Sequence, residues 1–345
     1  MNLLFVTQVV DSEDSVLGAY HGWIAEFSKY FESFTVICLK EGKHRLPENV
    51  RVYSLGKEKG RRSRLSYVLH FLALAWRLRR DYDAVFVHMN QEYVLIAGPL
   101  WNMLGKPVYL WRNHFAGSWL TDCAAVFCRN VFCTSRASYT AKYKKTILMP
   151  VGIDTGIFKL RTDVTRAPHA ILSLGRIAPS KNLHVLIEAF GLLSARGVDF
   201  SADIYGDALP KDAPYAEKLS ARVKELGLER IVRFHAGIPN RETPRIYGAH
   251  EIFVNCSPAG MFDKTLLEAA ACGCRVLSTS QDFREEAGES AYTASDASNI
   301  ASGLGRLMKA SQPDDLSDIV SRHSLGKLGE RLSCILTESP ASPIA

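Results

Sequence analysis

An arginine and a lysine five residues apart, between a strand-like run and a helix-like one, form a grip suited to a diphosphate. In Leu172-Ser173-Leu174-Gly175-Arg176-Ile177-Ala178-Pro179-Ser180-Lys181-Asn182, the apolar run ends in glycine. A short loop then opens a helix with Ser180 as candidate N-cap. Such a loop gathers two cations and unpaired backbone N–H groups around one point. Helix dipole, arginine fork and lysine charge all favour an anion there. Taken alone the pattern is short, and a pair of solvated loop charges is the other reading.

A second segment changes that balance. Asn255-Cys256-Ser257-Pro258-Ala259-Gly260-Met261-Phe262-Asp263-Lys264-Thr265-Leu266-Leu267-Glu268-Ala269 leaves an apolar run and enters a helix. Glu268 falls in the first helical turns among Leu267 and Ala269–Ala271. A carboxylate with such apolar neighbours needs partners. The two hydroxyls of a ribose would serve, because a carboxylate accepts several hydrogen bonds at once.

These segments must be held by alternating strands and helices. Strand-like runs are expected at Leu3–Val10, Phe34–Leu39, Val50–Ser54, Ala84–His88, Val108–Trp111, Val131–Cys133 and Ile147–Met149, with helices at Ala19–Tyr30, Leu65–Arg80 and Glu92–Leu104. A second series has strands at Ala170–Leu174, Phe200–Tyr205, Ile231–His235, Ile252–Asn255 and Arg275–Ser278. Its helices fall at Asn182–Ala195, Tyr215–Leu226, Arg241–Tyr247 and Thr265–Cys272. Alternation of this kind predicts parallel sheets covered on both faces, with ligands at the carboxyl ends of the strands. The expected class is α/β, two Rossmann-like domains facing across a cleft. The expected domains are 1–155, 156–320, a C-terminal helix in 321–338 that packs back on the N-terminal domain, and a tail, 339–345.

In order and spacing these segments resemble the group-1 family of retaining glycosyltransferases, which have the GT-B fold. The resemblance covers most of the chain and is strongest over 169–280. It rests on Gly175-Arg176 with Lys181, Ile204-Tyr205-Gly206-Asp207, Val232-Arg233-Phe234-His235-Ala236-Gly237, Ile246–Val254 and Leu266-Leu267-Glu268-Ala269-Ala270-Ala271-Cys272-Gly273-Cys274-Arg275-Val276. Met149-Pro150-Val151-Gly152-Ile153-Asp154 through Phe158 resembles the family's interdomain segment.

The resemblance implies roles at matched positions. Arg176 and Lys181 would bind the diphosphate of a nucleotide-sugar donor, and Glu268 the ribose. Gly237 and Ile238 would face the base. Backbone amides near Lys264, Thr265 and Leu266 would touch phosphate and sugar. In the first half, Gly18 matches a glycine-bearing loop after the first strand. His114 matches a histidine near the transferred sugar, against the plain reading of a satisfied loop histidine. One departure stands out: the family's first glutamate, eight residues before the second, is Gly260 here. Asp263, three residues later, is the expected substitute, so His114 and Asp263 are the candidate catalytic residues.

The implied reaction moves a hexose from a UDP- or GDP-sugar to an acceptor hydroxyl with retention, in polysaccharide or glycolipid synthesis. It needs neither metal nor cofactor. Asp81-Tyr82-Asp83 spells a metal motif of other glycosyltransferases but precedes a strand and reads as a surface turn. Alternatives are a non-catalytic sugar-nucleotide-binding protein and a nucleotide-sugar epimerase or phosphorylase on the same fold. An NAD oxidoreductase is disfavoured, because no G-x-G-x-x-G follows the first strand.

Composition narrows the partners. The chain has 345 residues, 47 % of them hydrophobic, enough for two cores. No apolar run reaches the length of a membrane span. The opening Met1–Val6 reads as a buried strand rather than a signal peptide. The eight cysteines include no C-x-x-C pair, and the five-residue spacing of Cys123, Cys128 and Cys133 scatters them over different faces. Free thiols in a cytoplasmic protein are expected.

Residues 1–155 carry 20 Lys and Arg against 13 Asp and Glu, whereas the remainder carries 22 against 23. The basic first half points to an anionic partner, a glycan or lipid-linked acceptor or an anionic membrane surface met through residues 57–80. Lys57–Arg64 alone holds five cations and one anion. An ordinary core helix beside solvated cations is the other reading of that stretch. Nucleic acid is not expected, since no binding motif accompanies the charge.

Overall fold

In the computed structural model, residues 1–14, 17–60, 63–260, 262–311 and 314–337 are described. The chain divides into two units, Met1–Gly152 with Leu325–Ala345, and Ile153–Ser324. The expected division had lain at 155/156 and 320/321. Arg61, Arg62, Met261 and the tail 339–345 lie outside the described residues.

The first unit is built on seven parallel strands: β1 Asn2–Val10, β2 Ser33–Glu41, β3 Val50–Ser54, β4 Ala84–His88, β5 Val108–Trp111, β6 Asn130–Cys133 and β7 Thr146–Leu148. Their spatial order is β3-β2-β1-β4-β5-β6-β7. The reversal beside β1 is the switch point at which doubly wound sheets take ligands. Strands such as Leu3-Leu4-Phe5-Val6 and Val85-Phe86-Val87 are fully buried because helices cover both faces. Those helices include α1 Ala19–Ser28, α2 Arg64–Arg77, α3 Gln91–Met103 and α4 Trp119–Val126. One face packs Phe71, Leu74, Tyr93, Val94 and Trp101, and the other packs Trp23, Phe27, Phe34 and Phe86.

Helix α2 ends three residues before the expected Arg80. Tyr82 is buried and donates its hydroxyl to the Ala75 carbonyl (2.9 Å), which turns the chain back toward β4. The Asp83 carboxylate accepts the Asn2 N–H at 2.8 Å and anchors the start of β1.

The second unit has β8 Ala167–Leu174, β9 Ser201–Tyr205, β10 Val232–His235, β11 His250–Asn255 and β12 Arg275–Ser278, all parallel in the order β10-β9-β8-β11-β12. Around them lie α5 Leu183–Ala195, α6 Ala213–Glu225, α7 Thr243–Ala249, α8 Lys264–Ala271, α9 Gln281–Ala287, α10 Ala297–Lys309 and α11 Ser317–Arg322. The core joins Leu186, Phe190, Ile204, Ile252, Val254 and Leu304.

The last helix, α12 Leu325–Thr337, belongs to the first unit. Its Leu325, Leu328, Leu332 and Leu336 are buried with Trp23 and Phe27 of α1. The spacing of these leucines, three to four residues, puts one apolar stripe on the helix. Among the described residues, no helix is long and apolar enough to cross a membrane.

Candidate functional site

In the second unit the chemistry gathers at the carboxyl ends of β8, β9 and β11. The loops that leave the sheet there are tied by backbone hydrogen bonds. Gly175 N–H donates to the Tyr205 carbonyl, Ile177 N–H to the Asp207 carbonyl, and Gly206 N–H to the His235 carbonyl, each at 3.0 Å. Gly206 is required at this crossing, since a Cβ would lie 1.9 Å from the Gly175 oxygen and its φ is +154°. Only glycine accepts both the space and the backbone angle.

Arg176 and Lys181 line one cavity together with Gly175, Tyr205, Asn255 and Ser257. Arg176 is exposed. Lys181 is held: its Nζ contacts the Asp263 carboxylate and donates to Ser257 Oγ at 3.1 Å. Another cavity of about 660 Å³, lined by Phe158, Lys159, Gly273, Asp314 and Ser317 among others, includes none of Arg176, Lys181 and Glu268.

Asp263 is fixed by more than Lys181. It is the N-cap of α8, where Oδ1 accepts the Thr265 N–H at 3.2 Å and the Thr265 hydroxyl at 2.9 Å. Asn255 Nδ2 donates to Oδ2 at 3.0 Å. Burial alone would push this carboxyl up. The charge of Lys181 and the hydrogen bonds from Lys181, Asn255 and Thr265 outweigh it and hold Asp263 well below the usual carboxylate range. Its carboxylate thus caps a helix and orients a lysine. Two amides expected to face a ligand are also engaged by Asp263: that of Thr265 by its side chain, and that of Leu266 by its carbonyl at 3.2 Å.

Gly260 is buried with φ at +102° and donates its N–H to Asp282 of α9 at 2.5 Å. A buried carboxylate from another helix therefore meets the loop at the residue where the family pattern places its own acid. Nothing in the spacing along the chain marks Asp282.

Glu268 is 2 % exposed, and protein groups meet both its oxygens. Lys264 Nζ donates to Oε1 at 3.0 Å, Asn240 Nδ2 to Oε1 at 3.3 Å and the Tyr247 hydroxyl to Oε2 at 3.2 Å. Burial, followed by the charge of Glu268, raises the Tyr247 phenol well above its ordinary value, which keeps it a donor. Asn240 links Glu268 to the loop after β10. There Gly237 donates its N–H to Asp207 at 2.9 Å and Ile238 is half-buried. Glu268→Gln should keep the helix while losing the charge-assisted bond from Lys264, worth about 1.5–3 kcal/mol. Nucleotide titration and thermal melting would read this: both should weaken, and wild-type values in both would exclude a role for the charge.

Asp203 was not anticipated. From β9 it meets Arg233 through two 3.0 Å hydrogen bonds, His235 Nε2 at 2.5 Å and His250 Nε2 at 3.0 Å. Burial opposes ionisation, but these partners hold the carboxyl well below its usual range. The cluster locks the strands from which the Gly206 and Gly237 loops depart.

The first unit brings its own candidates to the carboxyl ends of its strands. Gly18 precedes α1, where a Cβ would fall 2.5 Å from the Asp14 carbonyl oxygen. His114 follows β5. The Ala116 N–H donates to its Nδ1 at 2.9 Å. The ring stacks on Phe115 at 4.5 Å.

His88, the last residue of β4, was read only as strand. Burial drives its pKa down to about 3, Nδ1 lies 3.2 Å from Thr7 Oγ1, and Nε2 has no partner among the described residues. Nothing in residue spacing distinguishes it from a core histidine.

Residues 168–310 match the model of the family described as glycosyl transferases group 1. Mannosylfructose-phosphate synthase of Agrobacterium fabrum is 30 % identical over 153 residues, covering 41 % of this chain and 34 % of that protein. The GDP-mannose-dependent α-(1-6)-phosphatidylinositol monomannoside mannosyltransferase of Mycolicibacterium smegmatis is 29 % identical over 145 residues, 37 % of each chain. The chain thus spans about a third of the length of these curated relatives. Among solved structures, Anabaena HepE in complex with UDP and glucose superposes with a TM-score of 0.79 at 17 % identity, over 98 % of this chain and 100 % of that one. An α,α-trehalose-phosphate synthase from Burkholderia xenovorans gives 0.76 at 11 % identity, with 98 % and 100 % covered. The fold is therefore that of the GT-B glycosyltransferase structures.

Proposed function

We propose that this chain is a retaining, metal-independent hexosyltransferase of the group-1 family. It moves a sugar from a UDP- or GDP-sugar to an acceptor hydroxyl in polysaccharide or glycolipid synthesis. The observation that carries the reading is the cavity shared by Arg176 and Lys181 at the strand ends, inside the stretch that matches the family model. Proteins similar in fold include HepE, described with UDP and with UDP-glucose.

The mechanism follows from charge. As the glycosidic bond to phosphate breaks, negative charge grows on the leaving diphosphate. Arg176 meets it with a fork of N–H donors and Lys181 with a fixed ammonium, prepositioned by Asp263 and Ser257. The acceptor hydroxyl attacks from the same face, and its proton passes to the leaving phosphate oxygen. Glu268 and Asn240 receive the nucleoside. The protein's contribution is positioning and charge stabilisation, with the cations taking the place of a metal. Nucleoside diphosphate release in the presence of EDTA tests this. Activity that vanishes with EDTA and returns with a divalent cation would overturn it.

The same reading includes peripheral attachment to an anionic membrane through residues 57–80. Helix α2 buries Phe71, Leu74 and Ala75, yet leaves Leu65 (66 %), Leu69 (59 %) and Trp76 (50 %) exposed. Residues 65, 69 and 76 recur near the helical period, so they form an outer stripe. Lys57, Lys59 and Arg64 add positive charge at the start of this helix, and Arg79 stacks over Trp76 at 4.2 Å. A basic, apolar surface of this kind suits an anionic bilayer at about 1 kcal/mol per cation. Co-sedimentation with anionic liposomes should fall with salt and in an Arg61→Ser, Arg62→Ser, Arg64→Ser variant. Parent protein left in the supernatant at low salt would count against it.

A further inference from the structure

We infer that the first unit carries a subsite for the apolar chain of a lipid-phosphate acceptor, in the cavity beneath α2. The inference rests on the reading of this unit as the acceptor side, and names the class of acceptor.

The cavity holds about 290 Å³. Leu39 of β2, Leu55 just after β3, and Tyr67, Val68 and Phe71 of α2 line it, with Tyr93 and Ile96 of α3. Gln8 of β1 and Asn90 also reach it, so it lies at the carboxyl ends of β1, β2 and β3. Parallel sheets take ligands at that end. What distinguishes this pocket is its lining. Phe71 and Leu55 are each 1 % exposed and Tyr93 is 8 % exposed, while burial raises the Tyr93 phenol above its ordinary value and keeps it uncharged.

A sugar placed there would lose water from its hydroxyls without regaining hydrogen bonds, which is unfavourable. An alkyl or isoprenoid chain loses nothing and gains the burial of its methylenes. Apolar cavities are the sort that stay dry and accept apolar ligands.

The rim fixes what the chain is attached to. Arg64 and Glu92 are its charged members. Lys57 and Lys59 lie in the short turn before α2, and with Arg64 they outnumber the carboxylates of Glu58 and Glu92. Glu58 offsets one of them: its carboxylate, turned to the Ser54 hydroxyl and the Glu41 N–H, stays ionised, and three cations stand against two carboxylates. An apolar slot beneath a cationic rim, next to the exposed Leu65 and Leu69, fits an amphiphile with an anionic head. Lipid phosphate meets that description, and a neutral glycolipid does not.

The test is calorimetric titration of the full chain with dodecyl phosphate below its micellar concentration, beside dodecyl maltoside and inorganic phosphate. Dodecyl phosphate should bind saturably at one per chain, and the other two at least about tenfold more weakly. Val68→Trp and, separately, Ile96→Phe fill the cavity and should each lower the affinity by about tenfold or more. Arg64→Ser should lower it severalfold, and less at high salt. A photoactivatable diazirine at the chain terminus should label 67–71 or 93–96, a readout that does not depend on a variant folding.

Absence of saturable binding would overturn the inference, as would maltoside binding as tightly as the phosphate. So would labelling confined to Leu65, Leu69 and Trp76, which places the chain on the outer stripe. UDP and GDP titration of the same samples keeps the two questions apart. Nucleotide binding intact with no lipid-phosphate binding sinks this subsite alone, whereas loss of nucleotide binding in the parent sinks the donor reading.

Discussion

Arg176→Ala should weaken UDP or GDP binding by roughly tenfold to a hundredfold, the effect of about 1.5–3 kcal/mol for hydrogen bonds to a charged group. The loss is modest for a charged partner because Arg176 is exposed and water screens part of its charge. It still exceeds the effect expected for Lys181. That ammonium already faces the Asp263 carboxylate, so an incoming phosphate meets a partly compensated charge. Lys181→Ala also strands Asp263 beside Asn255 and Thr265, so part of its loss should appear as stability rather than affinity. Titration of both variants with UDP and GDP checks the order. Equal parent-like affinities in both would remove the diphosphate role from this loop.

Asp263→Asn should be the more damaging change to the fold. The substitution removes a helix cap, worth about 1 kcal/mol, and the charge opposite Lys181. Breaking a well-buried pair costs about 3–5 kcal/mol, but here Lys181 is 20 % and Asp263 13 % exposed, so about 2 kcal/mol in total is expected. For a unit of this size that lowers Tm by roughly 4–8 °C.

The pH dependence has a definite sign. The folded carboxyl is held below its unfolded value, so the unfolded chain binds the proton more readily and stability rises with pH. The contribution is fully present above about pH 4 and is lost as pH falls through the depressed folded value. Melting curves between neutral and acidic pH should converge for parent and Asp263→Asn as the solution becomes acidic. A constant difference at every pH would show that the charge of Asp263 contributes nothing. If turnover falls far more than nucleotide affinity, Asp263 acts beyond orienting Lys181.

Much of the scaffold is legible because buried parallel strands are written as continuous apolar runs. Val50–Ser54, Ala84–His88, Val108–Trp111 and Arg275–Ser278 fall where the sequence puts them. Short or small-residue helices escape that reading. Helix α10, Ala-Ser-Asn-Ile-Ala-Ser-Gly-Leu-Gly-Arg-Leu-Met-Lys, contains two glycines, yet Asp296 caps it and Ile300, Leu304 and Leu307 form a buried face. Helix α4 is eight residues long, and its Ser118 cap pairs with Thr121 instead of a glutamate.

The candidate site shows a sharper limit. Spacing along the chain identifies Arg176, Lys181, Asp263 and Glu268 as unusual, because each is a charge beside an apolar run. It does not reveal that Asp263 and Lys181, 82 residues apart, are partners. Nor does it reveal that Glu268 is already met by Asn240 and Tyr247, 28 and 21 residues away. Those are products of the fold, since the strand order β10-β9-β8-β11 brings their loops to one end of the sheet. His88 and Asp203 stay hidden for the same reason: a polar residue inside a strand declares its chemistry only when its neighbours across the sheet are known.

The central claim is that this chain breaks the bond between a sugar and a nucleoside diphosphate and keeps the sugar's configuration. The measurement that tests it most directly is proton NMR of the purified chain with a panel of UDP- and GDP-α-hexoses in EDTA, with water as acceptor. The account predicts slow release of UDP or GDP from at least one donor, with the α-anomer of the free sugar appearing first and no release by Arg176→Ala. First appearance of the β-anomer, or no release from any donor, would contradict it.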